Sequence, residues 1–162
     1  MLTQTELKRI WHYDPDAGFF TRLVAFANQT KIGDIANAHD GHGYILIGIA
    51  GKRYKAHRLA FLYMTGSFPA NDVDHINGIR DDNRWVNLRD ATQTINSQNL
   101  RKPRENNKSG YLGVFWHKAS GKWGAAITIN SKGIHLGLFT VKEEAAARYL
   151  EKKRELHLGC TI

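Results

Sequence analysis

Asp74 and His75 stand side by side in Val73-Asp74-His75-Ile76-Asn77-Gly78. Asn87 follows His75 twelve residues on, and Asn96 follows nine after that. Each residue type brings a distinct capability. An imidazole titrates near neutral pH and can take a proton from water. A carboxylate offers hard oxygens of the kind Mg²⁺ or Mn²⁺ prefers. An amide gives a neutral oxygen ligand or a brace for a loop. Arg84 and Arg89, in Asn83-Arg84-Trp85-Val86-Asn87-Leu88-Arg89, present planar forks that match phosphate oxygens. Taken singly, each has an ordinary explanation. An Asp-His pair is usually polar surface, Asn77-Gly78 a turn, Asn87 a helix cap and Asn96 an exposed helix residue. The combination is much rarer than its parts.

Composition bounds what such a cluster could serve. The chain has 162 residues, enough for one ordinary domain or two small ones. Its net charge is +8 and its pI about 9.7, the footprint of a polyanion binder. The charge is uneven: residues 67–105 balance six basic against six acidic side chains, and residues 106–162 hold nine against four. Acids are thus kept in the middle and the flanks are cationic. The longest apolar stretches, such as 44–50, fall far short of the roughly 20 residues of a membrane span. Glu6, Lys8 and Arg9 argue against a secretory signal. Cys160 stands alone, which rules out an internal disulfide and a cysteine-rich zinc site, and suits a reducing compartment.

The elements that must position the cluster can be read from spacing. Residues 1–10 suggest a short helix opened by a Thr3/Glu6 capping box. Residues 14–18 are a turn, and residues 19–24 a strand. In 44–50 both faces are largely apolar, so a strand buried on both sides is expected. A helix is expected over 57–64, stopped by Gly66 and Pro69. Residues 71–89 are rich in Asp and Asn and read as an ordered loop. A helix over 92–100 ends before Pro103, and the cationic segment 101–110 reads as a linker. Beyond it, three strands (111–118, 122–130, 133–139) precede a helix. Thr140 and Glu143 form its capping box, and Gly159 marks its end. Alternation puts Val114, Trp116, Trp123, Ala125, Ile127, Ile129, Ile134, Leu136 and Leu138 on one face. It puts Phe115, His117, Lys122, Ala126, Thr128 and His135 on the other. Lys152-Lys153-Arg154 reads as a solvated helix face.

Residues 57–102 resemble the HNH nucleases, a family built on a two-stranded ribbon, a loop and a helix around one metal ion. The likeness extends weakly upstream through Tyr13-Asp14-Pro15…Gly18 and Gly51-Lys52-Arg53-Tyr54, which look like phage homing endonucleases. It implies cleavage of phosphodiester bonds in double-stranded DNA. His75 would be the general base. Asp74 and Asn96 would ligate Mg²⁺, with Mn²⁺ as substitute, and Asn99 one turn on is the alternative to Asn96. Asn87 would brace the loop and orient His75, and Arg84 or Arg89 would clamp phosphate. Many family members have histidine at the third position. Asparagine there favours Mg²⁺ over Zn²⁺. The remaining histidines, His57 among them, read mostly as structural or surface residues; His39 and His42 flank a turn that could touch DNA.

Residues 110–159 resemble plant ethylene-response-factor DNA-binding domains, through Tyr111-x-Gly113-Val114, Trp123-x-Ala125-x-Ile127, Leu136-Gly137-x-Phe139 and Glu143-Glu144-Ala145-Ala146-x-Arg148-Tyr149. That implies a three-stranded sheet on one helix, its open face laid in the major groove. Phe115, His117, Thr128 and His135 stand where plant members carry arginines and tryptophans, so arginine's paired contact to guanine is missing. Lys108, Lys118, Lys122 and Lys132 are expected mostly on phosphates. The expected fold is therefore α+β. It comprises an HNH core with an N-terminal β-rich extension over 1–105, and a sheet-on-helix module over 106–162. The chain would act as a monomer or homodimer, phage-encoded, in the host cytoplasm.

Overall fold

The computed structural model describes residues 1–25, 30–157 and 159–161. Over these the chain is α+β, with four helices and several small antiparallel sheets. It divides into two compact units, Met1–Thr92 and Gln93–Ile162, each with its own core. No described helix is long and apolar enough to cross a membrane.

The first unit opens with α1 (Gln4–Ile10), and the expected capping box is formed. Thr3 Oγ1 accepts the Glu6 N–H at 3.2 Å, and the Glu6 carboxylate accepts the Thr3 N–H at 2.8 Å. A hairpin follows, β1 (Trp11–Asp14) paired with β2 (Phe19–Arg22). Its turn is closed by the Asp14 carboxylate, which accepts the N–H groups of Asp16 and Ala17 at 3.0 Å. Strands β3 (Ala38–His39), β4 (Ile45–Ile49) and β5 (Lys52–Lys55) form an antiparallel sheet. Ile45, Ile47 and Ile49 are buried, whereas Leu46 is half-buried and Gly48 exposed. The strand is therefore buried on one face, not both: Gly48 has no side chain to hide. Helix α2 (Ala56–Thr65) buries Leu59, Ala60, Phe61 and Leu62, and stops at Gly66 with φ +85°.

Residues 71–89 are not all loop. Strands β6 (Asp72–His75) and β7 (Leu88–Ala91) pair antiparallel around residues 76–87, the two-stranded ribbon the resemblance implies. Aspartates are poor strand formers, which hid the ribbon from composition. Burial of Val73, Leu88 and Ala91, and the facing pair Asp74 and Arg89, override that preference.

The second unit holds α3 (Gln93–Gln98), β8 (Val114–His117), β9 (Lys122–Ile129), β10 (Lys132–Phe139) and α4 (Lys142–Leu156). The sheet order is β10-β9-β8, all antiparallel, and its core is Val114, Ala125, Ala145 and Ala146 with Trp123, Leu136, Phe139 and Tyr149 against them. Gly113 lies so close to the Tyr149 ring that a Cβ would fall 2.0 Å from it.

Four expectations change here. The Thr140/Glu143 capping box is absent: Val141 caps α4 with no side-chain bond, and Glu143 instead accepts the Tyr111 hydroxyl at 3.2 Å. Lys153 is buried, not solvated, with its ammonium donating to the Leu100 carbonyl. Segment 101–110, expected as a linker, lies inside the second unit and holds a local turn in which Asn107 Oδ1 accepts the N–H groups of Ser109 and Gly110. Finally, Trp116 and Leu138 are 49% and 38% exposed. Trp116 shares the face of Val114 but sits on an edge strand, covered by Trp123 edge-on at 5.0 Å. Leu138 is turned away from that face by a bulge.

Candidate active site

His75 ends β6, where the ribbon gives way to the loop. Gly78 donates its N–H to the His75 carbonyl at 2.8 Å, and Asn77 Oδ1 accepts the Ile79 N–H at 2.9 Å, so Asn77-Gly78 makes a tight turn just after the imidazole. Asn87 braces that turn from the end of the loop, just before β7. Its Oδ1 accepts the Asn77 N–H at 2.9 Å, its Nδ2 donates to the Asp82 carbonyl at 2.7 Å, and its own carbonyl accepts the Ile76 N–H at 2.8 Å.

The side chain on the His75 ring is Asn83, which sequence reasoning missed. Asn83 is almost wholly buried, and its Oδ1 lies 3.3 Å from His75 Nε2. Its Nδ2 donates to the Asp81 carbonyl at 3.2 Å, which fixes the amide's orientation. An amide oxygen only accepts, so this contact favours the tautomer with the proton on Nε2, in which Nδ1 is the basic nitrogen. The Asn83 carbonyl in turn accepts the Tyr13 hydroxyl at 2.6 Å, and burial raises that phenol well above its ordinary pKa. Pro15 accepts the Trp85 N–H at 2.8 Å. Gly18, at φ +78°, lies against the same loop: a Cβ there would fall 2.5 Å from the Arg84 nitrogen. The N-terminal hairpin is thus a cradle for the loop. The upstream resemblance through Tyr13, Pro15 and Gly18 was the signal that pointed here.

His57 is the second residue missed. It is buried at the start of α2, with its ring 5.1 Å from that of His75 and edge-on to it; Tyr44 flanks both rings, at 5.1 and 5.9 Å. Among the described residues its Nδ1 is buried with no hydrogen-bond partner. Burial pushes its pKa down to about 3. Burial also lowers His75, with the Asn83 bond opposing. Both imidazoles are therefore neutral at neutral pH, and His75 is ready to accept a proton. Two cations border this group. The Lys55 ammonium lies 4.1 Å, and the Arg80 guanidinium 5.3 Å, from the Tyr44 ring centre.

The arginines expected on phosphate are held by carboxylates. Arg84 forks onto Asp82 at 2.8 and 2.6 Å, and this contact holds the Asp82 carboxyl down at about 2. Arg89 donates to Asp74 Oδ2 from Nε at 2.9 Å and from a terminal nitrogen at 2.6 Å. Asp74 is buried on β6 beside His75. Asn96 is half-buried on α3, in the second unit. Asn99 is buried, and its Oδ1 accepts the Thr161 hydroxyl. His39 Nε2 lies 3.6 Å from Asp81, and the His42 carbonyl accepts from Arg80 at 2.8 Å, so the turn carrying them rests on the loop.

No described group of three or more His, Cys, Asp or Glu is placed to hold a metal ion. Next to His75 the ribbon offers a cation one carboxylate, Asp74. That donor set fits a hard ion that keeps most of its shell as water and substrate oxygens, as Mg²⁺ does, and not a zinc cage.

Ribbon, loop and neutral imidazole define the class: a small α+β centre suited to hydrolysis. Residues 54–98, well under half of the chain, match the family model HNH_3, described as HNH endonuclease. A solved structure described as "DNA binding and cleavage by the HNH homing endonuclease I-HmuI" is similar at 26% identity with a TM-score of 0.41. The match covers 56% of this chain and 51% of that one, so this chain spans about half the relative's length. No curated protein matches.

Proposed function

We propose that the protein is a metal-dependent endonuclease that hydrolyses phosphodiester bonds of double-stranded DNA, a phage homing-type enzyme that nicks one strand per catalytic set. The observation that carries the reading is a buried, neutral His75 whose Nε2 lies against Asn83 Oδ1, in a segment that matches HNH endonucleases. His75 takes the proton of the attacking water on Nδ1. Asn83 holds the ring, and Asn87 holds the loop behind it. Asp74 and Asn96 are the residues that would supply oxygens to Mg²⁺, or to Mn²⁺ in its place. The bound ion would supply charge stabilisation to the scissile phosphate and the leaving oxygen. Arg84 and Arg89 contact phosphates from positions set by their carboxylates.

The second unit binds duplex DNA through the open face of its sheet, with Phe115, His117, Thr128 and His135 toward bases and Lys118, Lys122 and Lys132 on phosphates. We place the functional boundary near 105; compactness draws it after Thr92. The enzyme acts as a monomer or homodimer in the host cytoplasm.

A second reading, a silent DNA-binding or regulatory protein on this scaffold, is favoured by one observation: Arg89 already occupies Asp74 Oδ2. Supercoiled plasmid separates the two. With Mg²⁺ it should become nicked, with EDTA it should not, and His75→Ala should abolish cutting while leaving binding nearly intact. DNA that is bound but never cut, on plasmid and on phage DNA libraries alike, would establish the silent reading.

A further inference from the structure

The open face of the sheet holds more apolar surface than its alternation places there. Cα partners across the sheet align Phe115, Gly124 and Leu138 in one row, with His117 and Lys122 in the row on one side and Ala126 and His135 on the other. Leu138 reaches that face because the register of β10 shifts between His135 and Gly137, so Leu136 is skipped and the following residues change sides. Gly137, at φ +133°, supplies the backbone conformation the bulge needs. Gly124 is equally specific. A Cβ there would fall 2.5 Å from the Phe115 ring, so the missing side chain lets that ring lie across the middle strand. Phe115 is 40% and Leu138 38% exposed. Two glycines and a bulge thus build an apolar strip on a face with no arginine.

Charge says what covers it. Between Tyr111 and Phe139 the chain carries Lys118, Lys122 and Lys132 and no Asp or Glu, whereas the four glutamates of α4 are matched there by five Lys and Arg. The sheet segment suits a polyanion. A major groove admits a sheet of this kind, and the apolar group it displays among the donors and acceptors of its base edges is the C5-methyl of thymine.

We infer that Phe115 and Leu138 read thymine methyl groups, so that the second unit selects A·T-containing duplex through apolar contact where arginines would select guanine. The inference rests on the proposed docking of this face in DNA. His135, 6.4 Å from Phe115 ring to ring, and His117 flank the strip and supply the polar contacts beside it.

The test uses the full chain in EDTA, so that nothing is cut. Duplexes enriched from a random pool should hold thymine at fixed positions. Replacing those thymines by uracil removes only the methyl and leaves the protein untouched. Each replacement should weaken binding about fourfold, the worth of one buried methyl. Phe115→Ala and Leu138→Ala should weaken binding to the thymine duplex and lose the distinction between thymine and uracil. Phe115→Leu, which keeps an apolar side chain, should retain part of it. Equal binding of thymine and uracil duplexes, with Phe115→Ala still harmful, overturns the inference and leaves the docked face standing. A chain that binds no duplex, or whose binding ignores both substitutions, overturns the docking as well and turns the strip over to a protein partner.

Discussion

The buried polar residues around His75 divide their labour by what each touches. Asn83 is attached to the fold twice over, through its carbonyl to Tyr13 and through its amide to Asp81, and spends its remaining oxygen on the imidazole. In Asn83→Ala the Tyr13 bond survives, because it uses the backbone, but the ring loses its guide. Cutting should fall about 10- to 100-fold in kcat, the range for partners that orient a reacting group, with KM for plasmid little changed. A rise in KM with kcat intact would instead make Asn83 a DNA contact. His57 makes a different prediction, about stability. Its folded pKa of about 3 lies below the 6.5 of the unfolded chain. Above pH 6.5 it is neutral in both states. As pH falls below 6.5, the unfolded chain takes up a proton that the folded chain refuses, and stability declines until pH nears 3. Between pH 7 and pH 5 this one group should cost about 2 kcal/mol. Urea unfolding at both pH values measures it: His57→Leu should show a smaller pH difference than the parent by about that amount, and an unchanged difference would refute the assignment.

How much of this was legible depended on the kind of element. Helices and caps with local signals were read well: α1 with its Thr3/Glu6 box, and α2 with its stop at Gly66, depend on neighbours in sequence. The ribbon was legible only through the resemblance. Its strands hold four residues each, several of them aspartate, and are specified by cross-strand pairing of Asp74 with Arg89, which no local pattern encodes. The bulge in β10 failed for a related reason. Alternation assumes an unbroken period of two, and one skipped residue turned Leu138 to the opposite face. The Thr140/Glu143 pattern was a local signal overridden by a tertiary one, since Glu143 is engaged by Tyr111. At the site, the sequence supplied Asp74, His75 and Asn87 because their spacing is linear. Asn83 and His57 meet His75 from a loop and a helix, eight and eighteen residues away, and their contact is made by folding alone.

Across the whole chain the charge is carried by one unit. Gln93–Ile162 holds 12 Lys and Arg against 5 Asp and Glu, a net +7, whereas Met1–Thr92 holds 11 against 10, a net +1. On the proposed function, a nuclease centre that keeps Asp74 and Asp82 near phosphate would gain little long-range attraction from its own unit. Association with DNA would then fall to the second unit, and it should show in the salt dependence. Each phosphate neutralised contributes a slope of about −0.9 to log K against log salt on duplex DNA. If Lys118, Lys122 and Lys132 each meet a phosphate, single alanine substitutions should each flatten that slope by about one, and should weaken all duplexes alike. The triple variant of the full chain should lose about three units of slope while His75 and its surroundings are untouched. Such a variant, given enough enzyme at low salt, should still cut. Undiminished slope in the triple variant would move the DNA-binding surface off this sheet. Lost cutting at saturating enzyme would show that the second unit does more than hold the substrate.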